Sequence, residues 1–162
     1  MKLLPFWWGL IFLFSISSAN AQGALLLVGG GSEQHGGWSD APYQWFVQQA
    51  ENKKVAIISY APEEDSWLSQ YFVSLGAAEA RHFQIDASNA NEASLIEQLS
   101  SFDAFFFKGG DQWKYYRYYQ ASRFADWLRI RFEQGAAIGE PLQEWPFLAN
   151  GISLLKMEVC YL

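Results

Sequence analysis

Short runs of apolar residues alternate along this chain with longer stretches in which apolar positions recur every three or four residues. The runs at 24–28, 55–60, 104–107 and 136–138 are almost free of polar residues. A strand with one wet face alternates apolar and polar positions. Unbroken runs predict burial on both faces, as in a parallel sheet covered by helices on each side. A weaker strand is expected near 80–85. Helices are expected over 41–50, 64–75, 92–100 and 112–133, and Gly76 and Gly135 stand where two of them should end. The alternation predicts an α/β, doubly wound, mainly parallel sheet. The segment from Gly135 to Gly139 should run from the last strand into a tight turn. No internal repeat or low-complexity linker interrupts the pattern.

The first 21 residues read as a secretory signal. Lys2 supplies the positive charge, positions 3–14 are apolar, and Ala19-Asn20-Ala21 fits the small-x-small cleavage rule. Crossing a bilayer takes roughly 18–20 apolar residues, so no stable membrane anchor is expected. The expected location is periplasmic or extracellular, and the remaining length suits one domain rather than two. Cys160 is the single cysteine, which excludes an internal disulfide. The formal net charge of −6 argues against a nucleic-acid partner. Charged residues make up 17% and aromatics 18%, a balance that folds around a core rather than staying disordered.

Two glycine-rich stretches follow apolar runs. Gly29-Gly30-Gly31-Ser32 lacks the G-x-G-x-x-G spacing of a dinucleotide site, because position 34 is Gln, and the phosphate-loop Lys is absent. It reads as a tight strand-end turn, and no cofactor is expected. Phe107-Lys108-Gly109-Gly110-Asp111-Gln112 is more specific, since open α/β sheets bind ligands at the carboxyl ends of their strands. Backbone amides freed at Gly109 and Gly110 could hold an oxyanion, while Asp111 reads by itself as a helix N-cap. The aromatic group Trp113, Tyr115, Tyr116, Tyr118 and Tyr119 reads as a core face with a partly exposed side, in preference to a stacking platform. His35 reads as solvated and His82 as a strand-edge residue. No second histidine or cysteine stands at metal-ligand spacing from either, so no metal site is expected. Glu63, Glu64 and Asp65 read as acidic charge at a helix start.

Leu25-Leu26-Leu27-Val28-Gly29-Gly30-Gly31-Ser32, Ala56-Ile57-Ile58-Ser59-Tyr60-Ala61, Phe106-Phe107-Lys108-Gly109-Gly110-Asp111-Gln112 and Gly135-Ala136-Ala137-Ile138-Gly139 follow one another in an order that resembles the cyanophycinase branch of the S51 serine peptidases, related to dipeptidase E. The resemblance covers 23–139, about the first half of a family domain. It implies a flavodoxin-like sheet similar to class I amidotransferase domains. It also implies a Gly110 amide in the oxyanion hole, with Asp111 and Gln112 lining the substrate site. Family members follow the last strand with Gly-Thr-Ser-Ala-Gly, a nucleophile elbow whose serine is activated by a later histidine. Here the nucleophile slot falls on Leu142, and the family's histidine and acid would lie past Leu162. No catalytic residue is therefore expected to be intact.

A shifted reading frame, in the gene or through an error in reading it, would account for the missing elbow. Suppose Gly139 through Phe147 is encoded GGG-GAA-CCT-CTG-CAG-GAA-TGG-CCG-TTT. Reading from the third base then gives Gly-Thr-Ser-Ala-Gly-Met-Ala-Val. The expected organisation is thus a signal at 1–21, a partial S51-like domain at 22–139 and an aberrant tail at 140–162. The resemblance implies a secreted serine hydrolase cleaving β-aspartyl-arginine links of a cyanophycin-like substrate or a short peptide, inactive as written. The alternative is a non-catalytic exported module that binds a peptide or sugar at the 109–112 turn and the aromatic helix. That alternative carries an obstacle, because missing later elements should leave apolar surface exposed. A cysteine amidotransferase is set aside, since no cysteine stands at the elbow.

Overall fold

A computed structural model describes residues 23–29 and 33–142. The expected signal segment, Gly30 to Ser32, and the tail beyond Leu142 lie outside the described residues.

Five strands form one sheet in the order β1-β5-β4-β2-β3, and every pairing is parallel. They are β1 (Leu25–Gly29), β2 (Lys54–Ser59), β3 (Glu79–Gln84), β4 (Ala104–Phe107) and β5 (Ala137–Leu142). Alternation along β2 shows why its sequence is apolar from Val55 to Ile58. Val55 and Ile57 face a layer formed by α1 (Asp40–Gln49) and α2 (Trp67–Ser74), where they meet Tyr43, Phe46, Tyr71 and Phe72. Ala56 and Ile58 face the opposite layer, formed by α3 (Ala93–Leu99), α4 (Gln112–Tyr119) and α5 (Arg123–Glu133). With helices on both faces, the positions from Val55 to Ile58 are closed to solvent, and only Lys54 at the strand's start reaches it. β3 pairs only with β2, and its edge position explains its weaker, half-polar pattern. This is the expected doubly wound α/β architecture.

Both helix-ending glycines behave as expected. Gly76 and Gly135 have φ of 103° and 106°. In each case the next amide reaches back into the last turn, Ala77 to the Phe72 carbonyl and Ala136 to the Arg131 carbonyl, both at 3.0 Å. This left-handed C-terminal stop is closed to most side chains.

Two expectations need correction. The stretch 112–133 is two helices, not one. The chain breaks after Tyr119, where Ala121 takes a φ of 56° and Ser122 restarts the helix by accepting the Ala125 amide at 3.2 Å. The new start is docked on the segment before α3: the Phe124 amide donates to the Ala90 carbonyl, and the Arg123 amide to Asn91 Oδ1. Those tertiary bonds hold the break. Gly139 is also not at a turn. β5 continues through it, because its absent side chain leaves room for the rings of Phe106 and Phe46, which a β-carbon would meet at 2.9 and 3.0 Å.

Candidate functional site

The strand order reverses direction between β2 and β4. β2 leads outward to β3 at one edge, whereas β4 leads to β5 on the other side. The two connections diverge above the carboxyl ends of β2 and β4, which opens a crevice where α/β sheets place ligands.

The turn after β4 forms one wall of that crevice and is fastened from several directions. The Lys108 amide donates to the Ile58 carbonyl at 2.8 Å, the last bond of the sheet. The Lys108 carbonyl accepts the Tyr115 hydroxyl at 2.5 Å. Gly110 has a φ of 145°, and a β-carbon there would stand 2.9 Å from the Tyr60 hydroxyl oxygen. That oxygen accepts the Asp111 amide at 2.9 Å. Asp111 Oδ1 then accepts the amides of Trp113 and Lys114 at 2.9 and 3.4 Å, so its side chain is the N-cap of α4. Among the described residues, the amides of Gly109 and Gly110 have no hydrogen-bond partner. They remain available donors at the mouth of the crevice.

Gln112 points elsewhere. It lies against the carboxyl of Glu140 on β5, and its own Oε1 is buried without a partner. Burial holds Glu140 above the usual carboxylate range, with the Gln112 contact opposing that shift. Leu142 ends β5 in register with Gly29 of β1. The turn thus brings Gly109 and Gly110 to the crevice, uses Asp111 as a cap, and turns Gln112 toward β5.

A cavity of about 320 Å³ opens beside the glycine turn. Its floor is Ile57 of β2 and Phe106 of β4, with His82 of β3 in the same register row. It is lined further by Lys108, Gly109, Gly110 and Pro141 and by Glu33, Glu63, Asp65, Trp67 and Leu68. Glu33 is aimed by Tyr43, whose hydroxyl donates to Glu33 Oε1 at 3.0 Å. The loop carrying Glu33 is tied to α2 through Tyr71, which bonds to Ser39 at 2.7 Å and to Asp40. Burial first, and then the Asp40 bond, push the Tyr71 phenol up to about 12, so it stays protonated and keeps that tie. Asp65 Oδ1 accepts the Trp67 amide at 3.0 Å, and Glu63 Oε1 accepts the Ser69 hydroxyl at 3.3 Å.

His82 is the residue whose role the sequence concealed most. It sits on the edge strand as expected, yet its Nε2 is buried with no partner. Desolvation lowers its pKa, opposed by Glu63 and reinforced by Lys108, so the ring is neutral near pH 7. His35 is exposed, with its ring edge-on to Trp67 and Tyr71. The α4 aromatics divide as expected. Tyr115 and Tyr119 are buried, while Trp113 is 63% exposed and stacks on Tyr116 at 5.3 Å. The sequence reading took Glu63 and Asp65 for helix charge and did not single out Glu33, yet all three line this cavity. A signal was present: all three follow predicted strands, at the end of the sheet where ligands bind.

No protein-family model matches the chain, and no curated protein matches it in sequence. A solved peptidase has a similar fold. The crystal structure of a peptidase from an acI-B1 Actinobacterium superimposes with a TM-score of 0.58 at 14% identity, over 75% of this chain. The chain spans 55% of that neighbour's length. At this identity the likeness supports the doubly wound sheet and transfers no residue's role.

Proposed function

We propose that this chain carries the peptidase-type framework of a secreted serine hydrolase of the cyanophycinase branch, and that it does not hydrolyse amides as written. One observation carries the reading. Phe106 of β4 and Gly139 of β5 are the last register partners of these two strands; the glycine turn follows the end of β4 at Phe107, and β5 runs on to Leu142. The free-amide turn and the expected nucleophile slot therefore both belong to the carboxyl ends of adjacent strands. An oxyanion turn needs its nucleophile at that spot to act on one carbonyl. Leucine has no oxygen to attack with, and loss of a triad nucleophile costs on the order of 10⁶ in kcat. Pro141 supports the shifted-frame reading, because proline is rare inside sheets and lacks the amide a strand donates. The fold of the neighbouring peptidase is a second support.

The substrate of the intact form would be a cyanophycin-like polymer or a short peptide, met outside the cytoplasm. Two linked measurements test this. The locus is resequenced from codon 130 through several hundred bases past codon 162, and both readings are expressed and treated with a fluorophosphonate. The expected result is labelling at the restored Ser-Ala-Gly serine and none on the chain as written. A locus without a frame encoding that motif refutes the hydrolase reading.

A further inference from the structure

We propose that residues 152–161 of this chain add a strand to the open edge of β1, running antiparallel to it. The inference concerns the chain in its written frame and does not rest on the serine chemistry above.

β1 and β3 are the two edges of the sheet, and they differ in chemistry. β3 carries charge, which discourages the addition of another strand. Its Glu79 pairs with Lys54 at 3.0 Å, and the exposed Arg81 lays its guanidinium 4.4 Å over the Phe83 ring. β1 reads Leu25-Leu26-Leu27-Val28-Gly29 and carries no charge. One bond fixes which of its backbone groups face inward: the Ile138 amide of β5 donates to the Ala24 carbonyl at 2.8 Å. In a strand the N–H and C=O of one residue point to the same side, and those of its neighbours to the other. Leu26 and Val28 therefore bond toward β5, as Ala24 does, while the amides and carbonyls of Leu25 and Leu27 point away from the sheet. Among the described residues those outward groups have no partner. An uncharged apolar edge with a row of free backbone groups is a template for a further strand.

The chain supplies one beside that edge. β5 ends at Leu142, level with Gly29 at the carboxyl end of β1. Past it, Asn150-Gly151 is the dipeptide of a tight hairpin-type turn. Leu155, Met157, Val159 and Tyr161 then alternate with Lys156, Glu158 and Cys160. That period of two suits a strand with one covered face and one wet face. Its Lys156 and Glu158 would give the new edge the charge that β1 lacks. Reach decides the direction. An antiparallel strand starts beside Gly29, two strand spacings or about 10 Å from β5, and the nine residues 143–151 extend to about 30 Å. A parallel strand would start at the far end of β1, and that crossover takes a dozen residues or more.

Amide hydrogen exchange of the full chain, read residue by residue by NMR, tests the proposal. Leu25 and Leu27 should exchange at least about a hundredfold more slowly than unstructured amides. Met157→Pro and Glu158→Pro remove donors at adjacent positions, one of which must face β1. That one variant should return Leu25 and Leu27 to fast exchange, while Ile57 of β2 stays protected in both. A nitroxide on Cys160, the single cysteine, reads the direction independently. It should broaden the Leu25 amide more than the Gly29 amide. Fast exchange at Leu25 and Leu27 in the full chain overturns the proposal, as does protection that survives both proline variants. Broadening strongest at Gly29 overturns the antiparallel arrangement. Protection that grows with protein concentration would give the edge to a second copy of the chain and overturn the proposal as well.

Discussion

Gly110→Ala should destabilise the protein by about 2–4 kcal/mol, the sum of two separable costs. The first is backbone strain. Gly110 sits at a φ of 145°, a region nearly closed to residues with a β-carbon, and occupying it costs about 1–3 kcal/mol. The second comes from Tyr60, whose hydroxyl oxygen would stand 2.9 Å from the new carbon. The ring cannot simply swing away, because Tyr115 packs edge-on against it at 4.9 Å and the Lys114 ammonium lies 5.1 Å over it. Displacing the hydroxyl therefore breaks its bond from the Asp111 amide, worth about 1 kcal/mol. Tyr60→Phe removes the same bond and should cost about 1 kcal/mol by itself. In that background Gly110→Ala has only the strain left to add. The double variant should be about as stable as Gly110→Ala alone, a coupling of about 1 kcal/mol. Urea unfolding followed by far-ultraviolet circular dichroism measures all four proteins, with unchanged slopes required for comparison. A Gly110→Ala protein within about 0.5 kcal/mol of the parent would refute the account of the turn, as would strict additivity of the two changes.

Other outcomes follow from single contacts. Ala121→Gly should stabilise the protein by about 0.5 kcal/mol, read as a slightly higher urea midpoint. Relief of left-handed strain at φ 56° outweighs the extra chain entropy of glycine. Tyr119→Phe should cost about 1–3 kcal/mol, because the buried Ile85 carbonyl loses its hydroxyl donor at 2.9 Å. Glu140 has a folded pKa raised above its unfolded value, so its contribution is fully present below the unfolded pKa and is lost as pH rises through the folded one. Glu140→Gln should therefore flatten the fall in melting temperature from about pH 4.5 upward. An unchanged pH profile would refute the buried-carboxyl assignment.

The strands and most helix ends were legible in the sequence because they depend on local physics. A strand covered on both faces must be apolar where it is covered, which made Val55–Ile58 of β2 and all of β4 readable as continuous runs, and β4 ends where its pattern ends. Glycine at a left-handed stop is likewise a local requirement, and so is Asp111 as a cap for the amides that follow it. Tertiary structure decided what local pattern cannot express. The break at Ala121 leaves the apolar rhythm of 112–133 intact and exists because Ala90 and Asn91 bind the new helix start. β5 outlasts its apolar core because β1 pairs with it through Leu142, so Glu140 enters the sheet despite its charge. The cavity draws on residues 33, 57, 63, 65, 67, 68, 82, 106, 108–110 and 141, far apart in the chain. Only the strand order β1-β5-β4-β2-β3 brings them to one crevice, and strand order is set by which apolar faces bury one another, not by any segment's own preference.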